Sequence, residues 1–139
     1  MNAVELEAYD LEQKIASNSQ LAYDASLSSH SAAEAAQQQY SIIQHSEAQI
    51  DTINQAIKET YDEIVKPGTT YVQSVEYLQL MKYAKVVLEA FYTASLSASN
   101  LATTHINLAR EKGDKAENYT EDVNDYSAKL QELASDYSV

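Results

Sequence analysis

Residues that interrupt helices are almost absent from this chain. Its 139 residues include two glycines and one proline, and two of these three stand together at Pro67 and Gly68. A β-sandwich, a barrel or a doubly wound sheet needs many tight turns, and glycine supplies most of the backbone conformations that such turns require. The sequence therefore predicts an all-α fold, in a single domain over residues 1–139.

Three local signals divide the chain into helices. At Pro67 and Gly68 the proline removes a backbone donor and the glycine permits a positive φ, which predicts a helical hairpin turn. Gly113 suits the left-handed position that follows a helix, and the serine-rich residues 26–31 are poor in helix formers and end in a capping-box pattern. The predicted helices are 3–27, 31–66, 70–112 and 115–137.

Hydrophobic periodicity predicts coiled-coil-like seams along these helices. In the first half of the chain, apolar residues recur in two seven-residue series that keep their register through residues 26–31. Whether 3–66 is one kinked helix or two therefore stays open. The two series are Ala8, Ile15, Ala22, Ser29, Ala36, Ile43, Ile50, Ile57, Ile64 and Val4, Leu11, Asn18, Ala25, Ala32, Gln39, Ser46, Ile53, Thr60.

In the second half of the chain the same spacing predicts one apolar stripe for each helix. Short turns between the helices predict that neighbours are antiparallel, in an elongated bundle of three to four long helices. Thr70 and Gln73 form a capping-box pattern at the start of the third helix. The predicted stripes are Tyr77, Leu80, Ala84, Val87, Phe91, Ala94, Ala98, Leu101, His105, Leu108 and then Ala116, Tyr119, Val123, Tyr126, Leu130, Leu133, Tyr137.

The charge of the chain excludes some partners. With 21 acidic and 9 basic residues the formal net charge is −12. Nucleic acids and acidic membrane surfaces are bound through clustered Lys and Arg, so neither is an expected partner. The acidic N-terminal residues do not resemble a signal peptide. The cellular location stays unknown, and we expect either a cytoplasmic protein or a leaderless or virion-associated one.

No motif for catalysis, a cofactor or a metal is present. No Glu stands three residues before any of the three histidines, as a dimetal helical bundle requires. With two glycines there is also no phosphate loop and no dinucleotide-binding turn. We expect a protein that is not an enzyme and has no catalytic residue, cofactor, metal or small-molecule substrate.

The stretch 90–109 contains no charged residue. It is long enough to cross a bilayer, but its many Ser, Thr and Asn residues are too polar for lipid, so no transmembrane segment is expected. Its outer face lacks the Lys and Glu that a solvated helix face carries, which predicts a contact with a second copy of the chain. Burial by the chain's own helices is the competing explanation. The candidate interface residues are Tyr92, Ser95, Leu96, Ser99, Thr103 and Asn107.

These features predict a non-enzymatic structural subunit. It would self-associate through helix packing into a filament, a virion or another homo-oligomeric assembly. The eleven tyrosines favour association as well, because tyrosine is enriched at protein–protein contacts. The alternative is a soluble adaptor or secreted effector bundle that docks on a protein partner or a membrane.

Overall fold

The fold consists of two long helices that pack together. The computed structural model describes residues 2–137, and within them it contains α1, Ala3–Ile64, and α2, Tyr71–Tyr137, with no strand. The all-α prediction and the prediction of a helical bundle are confirmed. The number of helices is two, so the prediction of three to four is wrong.

The two predicted breaks at 27–31 and 112–115 do not exist, because both stretches are helical. The Ser29 hydroxyl donates a hydrogen bond of 2.7 Å to the carbonyl oxygen of Ala109 on the other helix. Gly113 has no positive φ, and a Cβ atom there would lie 3.4 Å from Ser29 Oγ. The serine and the glycine are small residues that allow the helices to pack closely, and neither one ends a helix.

Residues 65–70 connect the two helices. Gly68 has a φ of 90°, in the left-handed region that favours glycine, and it follows Pro67. The Thr69 hydroxyl donates to the carbonyl oxygen of Glu63 at 2.8 Å, and the Thr69 amide donates to the carbonyl oxygen of Lys66 at 3.3 Å. These bonds satisfy backbone oxygens that the end of α1 leaves without a helical partner.

Each helix begins with a capping box. The Gln73 amide donates to Thr70 Oγ1 at 3.2 Å, and the Thr70 amide donates to Gln73 Oε1 at 3.0 Å, as the sequence predicts. Asn2 and Glu5 make the corresponding pair of bonds at α1, at 2.8 and 3.1 Å. Local side-chain chemistry therefore sets both helix starts.

The chain divides into two compact units, each with one segment of each helix. The terminal unit contains the chain up to Glu34 and the chain from His105, and the turn unit is Ala35–Thr104. Within each unit the two segments run antiparallel, because residues later in α1 lie beside residues that come earlier in α2. The pairs that show this are Lys14 with Tyr126 and Ser29 with Ala109 in the terminal unit, and His45 with Phe91 and Ile57 with Met81 in the turn unit.

The face through which each helix contacts the other is here called the pairing face. On α1 every member of the two predicted seven-residue series is buried or half-buried, so this seam is confirmed. On α2 the predicted stripe is wrong at four positions: Leu80, Ala94, Leu101 and Leu108 are exposed. The residues that follow this row by one position lie on the pairing face of α2 instead. They are Met81, Leu88, Ser95, Ala102 and Ala109.

The most buried positions of the pairing face are occupied mainly by small residues. Ala98 and Ala102 are each 2% exposed, and Ala36 and Ser46 are buried with them in the turn unit. Ala25 and Ala32 are buried in the terminal unit. Small side chains let two helix backbones approach closely, which explains why the face with Ala102 is buried and the face with Leu101 is not.

The last predicted stripe, in the terminal unit, is confirmed except at its end. Its members from Ala116 to Leu133 are half-buried. Tyr137, the last described residue, is 62% exposed. The large apolar residues of this stripe therefore lie on the pairing face of their unit.

Candidate association surface

The residues predicted to form a subunit contact lie mostly on one outer face of α2. In the turn unit, Tyr92, Leu96, Ser99 and Thr103 are all exposed, and their spacing of four, three and four residues places them on the same side of the helix. We call this set the tyrosine face. The exposed fractions of Tyr92 and Leu96 are 54% and 64%. The chain's own helices leave this face uncovered.

The two other predicted interface residues lie elsewhere. Ser95 is half-buried on the pairing face, so its assignment to the outer face is wrong. It alternates there with Phe91 and Ala98, three or four residues away. Asn107 is exposed and belongs to the terminal unit. Whether a second copy covers the tyrosine face stays a prediction.

A second exposed surface in the turn unit was missed by the sequence analysis. It consists of one row of α2 residues, three of which were wrongly assigned to the seam, together with residues of α1 beside them, and we call it the aliphatic flank. Repeats of seven or fourteen residues keep its members on one side of each helix. Its members are Ile42, Ala56, Leu80, Val87, Ala94 and Leu101.

Two contacts place the α1 and α2 parts of the aliphatic flank side by side. Ala56 and Leu80 line the same cavity of 240 Å³. The His45 and Phe91 rings, on the same side of the helix pair, meet edge to face with their centroids 6.4 Å apart. The flank is therefore one continuous surface that both helices of the turn unit build.

The members of the aliphatic flank are apolar and uncharged, and all of them except the half-buried Val87 are exposed. Ile42, Leu80 and Leu101 are 44%, 57% and 48% exposed, whereas a large aliphatic side chain gains about 1.5–3 kcal/mol when it is buried. The position between Ile42 and Ala56 is Gln49, which is also uncharged. The adjacent rows are uncharged at Gln38, His45 and Thr52 on α1 and at Tyr83, Ala90 and Ser97 on α2, and their next members, Glu59 and Glu76, are exposed and charged.

Charged side chains surround the Tyr126 ring in the terminal unit. Lys14 and Lys129 place their ammonium groups 5.6 and 5.7 Å from the centroid of the Tyr126 ring. Lys14 also pairs with Asp10 at 2.9 Å, and its hydrogen bond to that carboxylate raises the pKa of Lys14 above the usual value. The terminal unit therefore has ionised groups beside Tyr126, whereas the α2 row of the aliphatic flank contains none.

Three further features of the described residues bear on function. Over 2–137 neither helix contains a stretch that is long and apolar enough to cross a membrane. Within the same residues no group of three or more His, Asp or Glu side chains is arranged to hold a metal ion. His105, which falls on the predicted stripe, is half-buried on the pairing face.

The comparisons with known proteins identify no relative. No protein-family model matches the sequence, and no curated protein or solved structure is detectably similar to the chain.

Proposed function

We propose that this protein is a non-enzymatic structural subunit that self-associates through helix packing into a filament, a virion or another homo-oligomeric assembly. The observation that carries the proposal is the surface area of the isolated chain, which is 9850 Å². A compact monomer of 15.4 kDa exposes about 7,200 Å². The excess of about 2,600 Å² exceeds the 800 Å² or so that each partner buries in an interface of standard size.

In this proposal the two helices form a hairpin, with Pro67 and Gly68 as its turn. The hairpin buries few residues completely, and those are mostly alanines. The larger apolar side chains, among them Tyr92 and Leu96, lie outside. Contacts between copies would bury them, and the tyrosine face is the contact that the sequence predicts.

The charge of −12 sets the conditions under which assembly is strongest. Like charges on approaching copies repel one another, and salt screens this repulsion. Assembly should therefore increase with ionic strength and as the pH is lowered toward the sequence pI of about 4.4.

Size-exclusion chromatography with light scattering tests the proposal. The purified chain should elute with masses that are multiples of 15.4 kDa and that grow with protein concentration and salt, and negative-stain microscopy should show regular particles. A mass of one chain under all conditions would overturn the proposal. It would favour instead the adaptor or effector that docks on another protein or a membrane.

One pair of variants tests the tyrosine face itself. Leu96→Glu should reduce the size of the assemblies, because it places a charge in the contact, while far-ultraviolet circular dichroism stays that of the wild type. Gln79→Glu is the matched control, since Gln79 is exposed on α2 and belongs to neither the tyrosine face nor the aliphatic flank. Equal particle sizes for both variants would exclude the tyrosine face as a contact.

A further inference from the structure

We propose that the aliphatic flank of the turn unit docks against the same flank of a second copy of this chain, so that two helix pairs form a four-helix bundle. The proposal rests on the proposed function, because it names the face through which the first self-association step occurs. It differs from the sequence-based expectation, in which the tyrosine face alone was the contact.

The number of apolar rows on α2 supports a second neighbour for this helix. A row here is a set of residues spaced seven apart along the helix. In the turn unit two rows of α2 pack against α1: one contains Phe91 and Ala98, and the other contains Leu88 and Ala102. A third row, with Leu80, Val87, Ala94 and Leu101, is apolar at every position, and all its members except the half-buried Val87 are exposed. Three apolar rows are typical of a helix in a bundle, where each helix packs against two others.

The α1 segment of the turn unit has the same arrangement. Ile42 and Ala56 lie beside the pairing face and remain exposed, with uncharged Gln49 between them. Both helices lack a neighbour on the same side, so a partner that presents two helices can give each of them a neighbour. A second copy of the turn unit presents two antiparallel helices with the same residues.

The alternation of large and small side chains makes the aliphatic flank suited to pairing with itself. Along α2 the large residues Leu80 and Leu101 stand at the two ends, and Ala94 lies between them. The cavity of 240 Å³ beside Ala56 and Leu80 is open to a side chain from outside. Large side chains of one copy can therefore enter the spaces over small residues of the other, as in knobs-into-holes packing.

The distribution of charged residues favours the aliphatic flank over the opposite flank of the turn unit for the closest contact between copies. Two chains of net charge −12 repel, and the aliphatic flank and its adjacent rows carry no charge between residues 38 and 56 of α1 or between 80 and 101 of α2. The opposite flank of the turn unit contains the exposed residues Glu47 and Lys85. Burial of the middle of the aliphatic flank therefore desolvates no ionised group, and Glu59 and Glu76 lie at its ends.

The chain as a whole exposes enough surface for a contact of standard size. The chain exposes about 2,600 Å² more than a compact monomer of its mass, and a stable dimer of standard size needs about 800 Å² from each partner. A two-fold contact through the aliphatic flank closes on itself. Growth beyond a dimer then needs a second contact, for which the tyrosine face is available.

The test uses the full chain and two matched variants. Leu101→Glu should weaken the dimer by about 100-fold or more, since it buries an unpaired carboxylate at the contact. Leu96→Glu, five residues away on the tyrosine face, should leave the dimer dissociation constant within a few-fold of wild type while it limits larger assemblies. Sedimentation equilibrium over a range of concentrations gives the dimer dissociation constant of each variant. Circular dichroism checks that both variants stay helical.

Crosslinking provides a second readout that does not depend on a disruptive substitution. The chain has no cysteine, so Ala94→Cys places one thiol in the middle of the aliphatic flank and Gln79→Cys places one outside it. A short bismaleimide should join two chains of the Ala94→Cys variant at low protein concentration and should not join those of Gln79→Cys. Crosslinking of Gln79→Cys in preference to Ala94→Cys would overturn the proposed docking face.

The two proposals fail differently. If the wild type assembles but Leu101→Glu assembles equally well, the aliphatic flank is not the docking face and the proposed function survives. If the wild type stays a single chain at all concentrations, self-association itself is excluded. An apolar flank covered by another protein, and not by a second copy, would give this second result.

Discussion

The pairing face and the aliphatic flank of the turn unit differ in an unexpected way. The residues that are most buried in the pairing face are small, with Ala98 and Ala102 at 2% exposure. The aliphatic flank contains larger residues that are far more exposed, such as Leu80 at 57% and Leu101 at 48%. In most soluble helical proteins the larger aliphatic residues are the ones buried within the chain.

This difference shows that close approach decides which face of α2 meets α1. Alanine and serine on both helices let the backbones come near each other and make many dispersion contacts, whereas leucine at the same positions would hold the helices further apart. The larger side chains Leu80 and Leu101 then remain exposed. Four pairs of substitutions test this explanation.

The largest effect is expected when a charge is placed in the pairing face. Ser46 is 2% exposed, so Ser46→Glu leaves a carboxylate buried without a partner and should cost about 3 kcal/mol or more of unfolding free energy. Ser99→Glu adds the same charge at an exposed position and should leave the unfolding free energy of the single chain nearly unchanged. Urea unfolding at low protein concentration measures both. A comparable loss for Ser99→Glu would mean that the tyrosine face is covered within the chain.

The adjacent residues Leu101 and Ala102 test which row packs against α1. Ala102→Leu should destabilise the chain by about 1–3 kcal/mol, because it overfills a closely packed contact. Leu101→Ala removes a larger group from an exposed position, and at low concentration it should change the free energy of unfolding by less than about 0.5 kcal/mol. The opposite result in thermal and urea unfolding would restore the stripe that the sequence predicts.

The two glycines should respond in opposite directions to the same substitution. Gly68→Ala should cost about 1–2 kcal/mol, since the φ of 90° is unfavourable for any residue with a Cβ atom. Gly113→Ala should stabilise the chain by about 0.5–1 kcal/mol, because alanine favours the helix and its Cβ atom would lie 3.4 Å from Ser29 Oγ, an ordinary contact. The thermal midpoints of the two variants check the signs. A destabilised Gly113→Ala variant would show that the helices approach more closely there.

The smallest effect is expected for the hydrogen bond between the helices of the terminal unit. Ser29→Ala removes the bond to the carbonyl oxygen of Ala109 and should cost about 0.5–1 kcal/mol, since that oxygen also accepts a bond within its own helix. The exposed neighbour Ser28 is the control, and Ser28→Ala should have almost no effect. Equal effects of the two substitutions in urea unfolding would show that the hydrogen bond does not contribute to stability.

The positions of the predicted interface residues were foreseeable in part. The lack of charge in 90–109 singled out six candidates, and five of them are exposed. Ser95 was assigned to the outer face because its polar side chain predicts exposure to solvent. Its small size, however, also suits a close contact between helices. The aliphatic flank was missed for the related reason that leucine and valine at helical spacing were taken as the seam.

Local sequence determined what depends on neighbouring residues along the chain. The scarcity of Gly and Pro determined the helical class, Thr70 and Gln73 determined where α2 begins, and the seven-residue repeat determined the buried side of α1. Only the tertiary structure decided that the serine-rich stretch and Gly113 continue their helices and that Ala102, not Leu101, faces α1. The reason is physical: a small residue can end a helix or let two helices approach, and which of these occurs depends on the residue that lies opposite, far away in the sequence.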